Sequence, residues 1–189
     1  MNRKLIAAAF ALASLASTPA FSQAYVSAGA GVSHASLDCT GTDTCDNDDM
    51  AFRLIGGYQF DNNVSAEAMY FSLGKTQATL DIYKESIETS FWGLGAAYRA
   101  DFGQGWYGTV RGGAAFANSR LEVSATGMGS GSQSRDSVHA YFGLGGSYAI
   151  TKNVRLDADW LITKMSFAAG DFKYTNPVHA FTLGATYGF

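Results

Sequence analysis

The chain has 189 residues, of which 47% are hydrophobic and 15% are charged, and 13 basic against 16 acidic side chains give a net charge of −3. This length fits one domain. Because the balance is acidic and no basic cluster stands out, we do not expect nucleic acid as a partner.

The first residues predict a secretory signal peptide. A positive stretch at residues 2–4 precedes an apolar run at residues 5–16. Ser22 and Ala24 then place small residues at the −3 and −1 positions of a signal peptidase site. The apolar run is shorter than the roughly 20 residues that a membrane-spanning helix needs.

Removal of residues 1–24 leaves a mature domain of residues 25–189, with eleven basic and sixteen acidic side chains. Cleavage after Ala20 is the alternative. In the mature sequence no apolar run approaches the length of a membrane-spanning helix. Export without such a helix leaves two classes, a soluble exported protein and an outer-membrane β-barrel.

The mature sequence alternates between polar segments and segments of about ten residues that are rich in glycine, aromatic and β-branched residues. Within the second kind, apolar side chains recur at every second position, as Phe142, Leu144 and Tyr148 do. Membrane-spanning strands need about 9–11 residues and show this period. The pattern predicts eight strands, at residues 25–35, 51–60, 64–73, 87–99, 106–118, 136–150, 154–164 and 178–189.

The connections between these strands alternate in length. Three are short, at residues 61–63, 100–105 and 151–153. Four are long, at residues 37–50, 74–86, 119–135 and 166–177. Short periplasmic turns and longer external loops are typical of outer-membrane barrels. The fold prediction is therefore all-β, an eight-stranded antiparallel transmembrane β-barrel with both termini in the periplasm.

Two features favour a bilayer over water as the surroundings of this sheet. Aromatic residues cluster at the strand ends near one rim, as the aromatic girdle of a membrane barrel does. Charged residues alternate onto the inner face, which a soluble sandwich would bury at large cost. A soluble barrel of the lipocalin type is the alternative. The rim aromatics are Tyr58, Phe60, Tyr98, Phe102, Trp106, Tyr148, Tyr187 and Phe189, and the inward charges are Arg53, Glu67, Arg99, Arg111, Arg155, Asp157 and Asp159.

The last strand carries a resemblance to a known family. Its outward positions Phe181, Leu183, Tyr187 and the terminal Phe189 are similar to the signal read by the barrel assembly machinery. Together with residues 63–70, they make the chain resemble the OmpA-like and opacity-protein group of eight-stranded outer-membrane barrels. The resemblance implies surface roles: membrane integrity, adhesion or resistance to host defences.

The inward charges are the first candidate site. Arg53, Glu67, Arg111, Asp157 and Asp159 form the predicted network. One interpretation is a narrow ion pathway gated by salt bridges. The other, which we favour, is a packed polar core, because eight strands leave room for little beyond side chains.

The two cysteines, Cys39 and Cys45, lie close together in a polar segment. In an exported protein this spacing predicts one disulfide within a loop. A metal site is the alternative, but the segment lacks further cysteine or histidine ligands.

The first long loop is acidic, with Asp38, Asp43, Asp46, Asp48 and Asp49. Clustered carboxylates suit calcium, although the spacing is not that of an EF-hand. We expect a solvated loop, and no bound metal or cofactor.

Histidines 34 and 179 are predicted to face outward on neighbouring strands, at the interface with lipopolysaccharide. His34-Ala35-Ser36 also looks like the short signature of outer-membrane lipid A deacylases. Such chemistry needs an oriented Ser–His pair and a third group, and the sequence identifies no acidic partner.

The function predicted from the sequence is a non-enzymatic outer-membrane surface protein, without catalytic residues, whose loops carry its contacts. The expected partners are outer-membrane lipid, lipopolysaccharide and the barrel assembly machinery, with host-cell or matrix ligands of the loops as further candidates. A lipid A-modifying enzyme and a narrow channel are the alternatives.

Overall fold

The structure is a computed structural model that describes residues 24–35, 44–60, 63–80, 83–125, 129–169 and 172–189. These residues contain no helix with the length and hydropathy that crossing a membrane requires. They form nine strands: β1 (Ala24–Ala35), β2 (Thr44–Asp46), β3 (Asp48–Gln59), β4 (Val64–Leu80), β5 (Tyr83–Gly103), β6 (Trp106–Ala125), β7 (Gly129–Ala149), β8 (Val154–Ala169) and β9 (Phe172–Gly188).

Eight of these strands close into a barrel. The long strands pair antiparallel with their neighbours in chain order, and β9 pairs back with β1 from Tyr25↔Gly188 to Ala35↔Val178. The short β2 adds three residue pairs to the end of β4. The predicted eight-stranded antiparallel barrel is therefore confirmed.

Side-chain alternation decides which face of the wall each residue occupies. On β7, Phe142 and Leu144 are exposed on the outer face. Tyr141, one position before Phe142, is buried on the inner face. The first and last described residues lie at one end of the barrel, where the Phe189 N–H donates to the Ala24 carbonyl at 3.0 Å. We call this the terminal end, and the opposite end, where the long hairpins lie, the hairpin end.

Aromatic side chains ring the outside at the terminal end. All eight predicted rim aromatics are exposed. Several touch one another, such as Trp106 and Tyr148, whose ring centroids are 4.9 Å apart. On β6 the outward apolar positions run from Trp106 to Phe116. Ten residues of a strand tilted by about 40° span about 25 Å along the barrel axis, the height of a membrane barrel's apolar band.

The long loops of the sequence prediction are wrong in their extent. Most of the described residues in 74–86, 119–135 and 166–177 continue the strands as paired hairpins, and residues 48–50 belong to β3. The polar composition of these segments suggested loops. In water above the membrane, however, a paired ribbon can carry polar side chains on both faces while satisfying its main-chain hydrogen bonds.

Two of these ribbons separate from each other above the membrane band. Pairing between β7 and β8 ends at Phe142↔Ile162. By contrast, β6 and β7 stay paired up to Ala125↔Gly129, and β8 and β9 up to Ala169↔Phe172. Near the point of separation, the Thr163 hydroxyl donates to the Ala140 carbonyl at 3.2 Å. Strands β4 to β7 remain paired with one another at the hairpin end, so this end carries one sheet of four strands and a separate β8–β9 ribbon rather than one continuous wall.

Inward glycines make room for the large side chains in the lumen. A Cβ added at Gly57 would overlap the ring of Tyr25, whereas a Cβ at the adjacent Gly56, on the outer face, would meet no atom within 4 Å. Gly57→Ala should therefore lower the stability by about 1–3 kcal/mol, the usual cost of overpacking. The measurement is urea unfolding of the barrel in phospholipid vesicles, followed by tryptophan fluorescence.

Gly56→Ala is the matched control, because it makes the same backbone change one residue away and in open space. Its urea midpoint should stay at the wild-type value. Equal midpoints for both variants would show that space beside Tyr25 does not limit packing.

Candidate functional site

The candidate site is the charged network inside the terminal half of the barrel. Its members come from four strands: Arg53 from β3, Glu67 from β4, Arg111 from β6, and Asp157 with Asp159 from β8. Each stands at an inward position, and all five side chains are at most 9% exposed. Strand alternation alone therefore delivers these charges to one enclosed space.

The structure joins the five side chains into one chain of ion pairs. Arg53 contacts Asp157 and also lies 2.7 Å from an oxygen of Asp159. Arg111 lies 2.9 Å from the other Asp159 oxygen and 3.6 Å from Glu67. Asp159 thus bridges the two arginines. The arrangement has the form of the packed polar core that the sequence favoured over an ion pathway.

Neutral side chains complete the hydrogen bonding of Arg53. Its Nε donates to the Thr182 hydroxyl at 2.9 Å and its Nη1 to the Ser27 hydroxyl at 3.2 Å. On the acidic side, the Thr186 hydroxyl donates to Asp157 at 2.8 Å. Buried charges persist when both the ion pair and the remaining hydrogen bonds are satisfied. Here β1, β8 and β9 each contribute such a partner to Arg53.

Tyr25 is a member of the network that the sequence reasoning missed. Its hydroxyl donates to Glu67 at 2.6 Å and shares a 3.0 Å hydrogen bond with Ser65. The signal was present, because Tyr25 stands at an inward position of the first strand, in phase with Ser27. A tyrosine carries no formal charge, so charge alone does not distinguish Tyr25 from the other inward residues of this strand.

The hairpin half of the lumen contains an apolar cluster, which corrects the expectation of a polar lumen throughout. Phe71 and Phe91 stack at 5.4 Å between centroids with ring planes 4° apart, and Tyr141 lies 6.4 Å from Phe91. An eight-stranded barrel has no water channel to line, so packing can fill half of it as in a soluble core. The buried apolar side chains here include Met69, Phe71, Leu73, Phe91, Leu161 and Val178.

The outward histidines lie opposite each other on neighbouring strands, as His34↔His179. Each has a partner of its own. The His34 Nδ1 lies 2.8 Å from a carboxylate oxygen of Asp48, and the His179 ring stacks on Trp160 at 5.8 Å. The structure therefore supplies an acidic neighbour for His34 that the sequence did not identify, while Ser36 lies outside the described residues.

The remaining predicted sites fall largely outside the described part of the chain. Cys39, Asp38 and Asp43 are not among the described residues, and the side chains of Cys45 and Asp46 are not described. Asp49 accepts hydrogen bonds from the main-chain N–H groups of Met50 and Lys75. Within the described ranges no group of three or more His, Cys, Asp or Glu side chains could hold a metal ion.

Three of the four predicted assembly residues lie on β9, and the fourth, Phe189, directly follows this strand. Phe181, Leu183, Tyr187 and Phe189 are all exposed, on the outer face of the last strand. There they contribute to the apolar band of the barrel.

Comparison with known proteins agrees with this geometry. Residues 5–189 match the family described as the outer membrane protein beta-barrel domain. The chain belongs to this family. The outer membrane protein beta-barrel family places it in the bacterial outer membrane, and this confirms the resemblance to small eight-stranded outer-membrane barrels. No curated protein matches its sequence significantly.

Solved structures of other outer-membrane barrels share the fold. Neisserial surface protein A has a TM-score of 0.64 at 17% identity, over 88% of this chain and 97% of that one. Ail, the attachment invasion locus protein of Yersinia pestis, has a TM-score of 0.58 at 18% identity, over 90% of this chain and all of that one. OprG of Pseudomonas aeruginosa has a TM-score of 0.55 at 14% identity, over 89% and 96% of the two chains.

Removing Arg53 should destabilise the barrel more than removing any exposed arginine. Arg53→Met leaves Asp157 without its cation and takes one of two cations from Asp159. Breaking a buried pair in this way costs about 3–5 kcal/mol. The free energy of unfolding in urea, measured in phospholipid vesicles, provides the test.

Two further variants separate the ion pair from general effects of the substitution. Arg135→Met removes an exposed arginine on β7 and should leave the unfolding free energy unchanged within error. Arg53→Met combined with Asp157→Asn removes both charges and should recover part of the loss. A double variant as unstable as Arg53→Met alone would argue against the unpaired carboxylate as the cause.

Proposed function

We propose that this chain is a non-enzymatic surface protein of the outer membrane, whose barrel holds its hairpin ribbons for adhesion or recognition and contributes to envelope integrity. The observation that supports this is the length of the ribbons. On β6 the paired strand continues for nine residues beyond Phe116, the last outward apolar residue before the exposed Asn118 and Arg120. Nine strand residues span about 30 Å, so this ribbon stands well clear of the bilayer.

The topology in the membrane is part of the proposal. Residues 1–24 act as a cleaved signal peptide, and the terminal end faces the periplasm. Short turns join the strands at the terminal end, and the long ribbons lie at the other end, which is the usual asymmetry of these barrels. The barrel assembly machinery then reads the last strand, and lipopolysaccharide surrounds the end that carries the ribbons.

Relatives in fold suggest which ligands to try first. The Yersinia pestis attachment invasion locus protein is also known in complex with the heparin analogue sucrose octasulfate, a structure with a TM-score of 0.56 and 18% identity to this chain. At that identity the likeness concerns the fold alone. It nevertheless motivates sulfated glycans, beside host cells and matrix proteins, as the first probes of the ribbons.

The channel alternative receives less support from the packing. The Arg53 network lies across the terminal half of the lumen, and the stacked pair Phe71 and Phe91 lies in the hairpin half. Ions crossing the barrel would have to displace both layers. We therefore infer a closed barrel and place the function outside it.

Trimming the ribbons should abolish binding while preserving the barrel. The register provides matched cut points: residues 76–87 lie beyond the pair Lys75↔Glu88, residues 119–135 beyond Asn118↔Asp136, and residues 165–176 beyond Lys164↔Pro177. Each ribbon can be replaced by an Asn-Gly turn, which favours a two-residue hairpin. Binding of surface-expressed protein to host cells, matrix proteins and heparin is then measured.

Equal insertion of intact and trimmed barrels is the control, shown by the mobility shift on boiling. Loss of binding on trimming one particular ribbon would locate the contact. No binding by either form would contradict the adhesion proposal and leave the structural role in the envelope.

A second candidate function rests on the contact between His34 and Asp48. A carboxylate at 2.8 Å from the imidazole can orient it as a general base, and both side chains are exposed at the outer surface. The substrate class would be an acyl ester of lipid A. Mass spectrometry of lipid A from cells with and without the protein tests this idea, with His34→Ala and Ser36→Ala as variants and His179→Ala as the control.

A deacylase predicts the loss of one acyl chain's mass with the wild type and the His179 variant only. An unchanged lipid A mass with the intact protein would remove the enzyme from consideration.

A further inference from the structure

The charges in the terminal half of the lumen do not balance. Four arginines and three carboxylates face inward there: Arg53, Arg99, Arg111, Arg155, Glu67, Asp157 and Asp159. All three carboxylates are bound to Arg53 and Arg111. Among the described side chains of this space, one positive charge therefore has no counter-charge.

Arg99 and Arg155 are the two arginines outside the ion-pair chain. Within the described part of the chain, neither lies within 4.0 Å of a carboxylate oxygen. Arg99 donates to the side-chain oxygen of Gln59 at 3.0 Å, and its buried Nε meets no hydrogen-bond acceptor among the described residues. The exposed Asp101 at the same rim accepts the Gly103 N–H at 2.7 Å within its turn.

Aromatic rings position both guanidinium groups. The Arg99 Cζ lies 5.2 Å from the Tyr25 ring centroid, and the Arg155 Cζ lies 5.9 Å from that of Tyr107. A cation–π contact orients a guanidinium group but leaves its N–H groups available for an acceptor in the plane of that guanidinium group. Both guanidinium groups are thus held in place and keep N–H groups that can donate to a further acceptor.

Both arginines line the same cavity. Its volume is about 20 Å³, and its wall also includes the hydroxyl side chains of Thr109 and Ser147. The carboxylates of Glu67, Asp157 and Asp159 line it as well, and their ion pairs with Arg53 and Arg111 compensate their charges. Hydroxyl groups can donate to an anion, and a guanidinium matches the oxygens of carboxylate, sulfate and phosphate groups. The space suffices for one or two oxygen atoms of such a group, with the rest of the ligand in the mouth of the barrel.

We propose that this cavity is an anion-binding site, in which Arg99 and Arg155 hold the oxygens of one small oxyanion that enters from the terminal end. Arg99 and Arg155 are both partly buried, and an uncompensated charge there attracts a counter-ion more strongly than it would in open water. Deeper in the barrel, the Arg53 ion pairs and the apolar side chains close the path. The anion is therefore bound at a dead end, not conducted.

Isothermal titration calorimetry tests the proposal. The purified barrel in detergent is titrated with sodium sulfate, and sodium chloride keeps the ionic strength constant. We expect saturable binding of one sulfate per chain. Arg99→Gln and Arg155→Gln should each weaken it at least tenfold. Lys152→Gln, which removes an exposed cation from a turn at the same end, should bind as the wild type does.

Urea unfolding gives a second readout that does not depend on heat signals. The wild-type midpoint should rise with sulfate at constant ionic strength, since a ligand that binds only the folded state stabilises it. This rise should vanish in both glutamine variants and persist in Lys152→Gln. If a glutamine variant fails to fold, Arg155→Lys keeps the charge while losing the fork of donors, and should retain only weakened binding.

Several outcomes would overturn the site. They are the absence of saturable sulfate binding by the wild type, and sulfate effects that the glutamine variants share. If Lys152→Gln lost as much sulfate affinity as Arg155→Gln, this would also count against the site. Such a result would mean that sulfate acts by screening surface charge. Replacing sulfate by phosphate or acetate then separates recognition of an oxyanion in general from preference for one.

Discussion

The hydrogen bonds that close the sheet are the constraint on which the rest of this structure depends. In hydrocarbon, every main-chain N–H and C=O needs a partner within the protein, so a sheet can cross the bilayer only without free edges. The first and last strands meet this requirement through eleven residue pairs, from Tyr25↔Gly188 to Ala35↔Val178. Closure with eight strands then sets the diameter, and the diameter determines what the inside can hold.

In the interior, the positions of the charged side chains, the aromatic rings and the glycines therefore depend on one another. Arg53 is 1% exposed, yet the narrow lumen brings two carboxylates and two hydroxyls to it from the walls. Glycines such as Gly57 leave the space that the large side chains fill. The interior thus combines a charged cluster in the terminal half with an apolar cluster in the hairpin half.

Much of this could be predicted from the sequence, because a period of two is a local property. This period predicted that Arg53 and Glu67 point inward and that Phe142 points outward, although it does not show which residues they contact. The pairing of Tyr25 with Glu67, 42 positions apart, depends on register and tilt, which no local pattern encodes. Strand ends were also missed, since a polar ribbon in water and a polar loop have the same composition.

The separation of β7 from β8 above Phe142↔Ile162 has a consequence for how this surface can change. Among the described residues, the β8–β9 ribbon beyond Lys164↔Pro177 is held only by its own two strands, whereas β6 of the β6–β7 ribbon is also paired with β5 up to Tyr83↔Ala125. Adding or deleting facing residue pairs in the β8–β9 ribbon therefore leaves the register of β7 unchanged. This ribbon can change in length by whole residue pairs, and the inward and outward directions of every membrane-spanning residue are preserved.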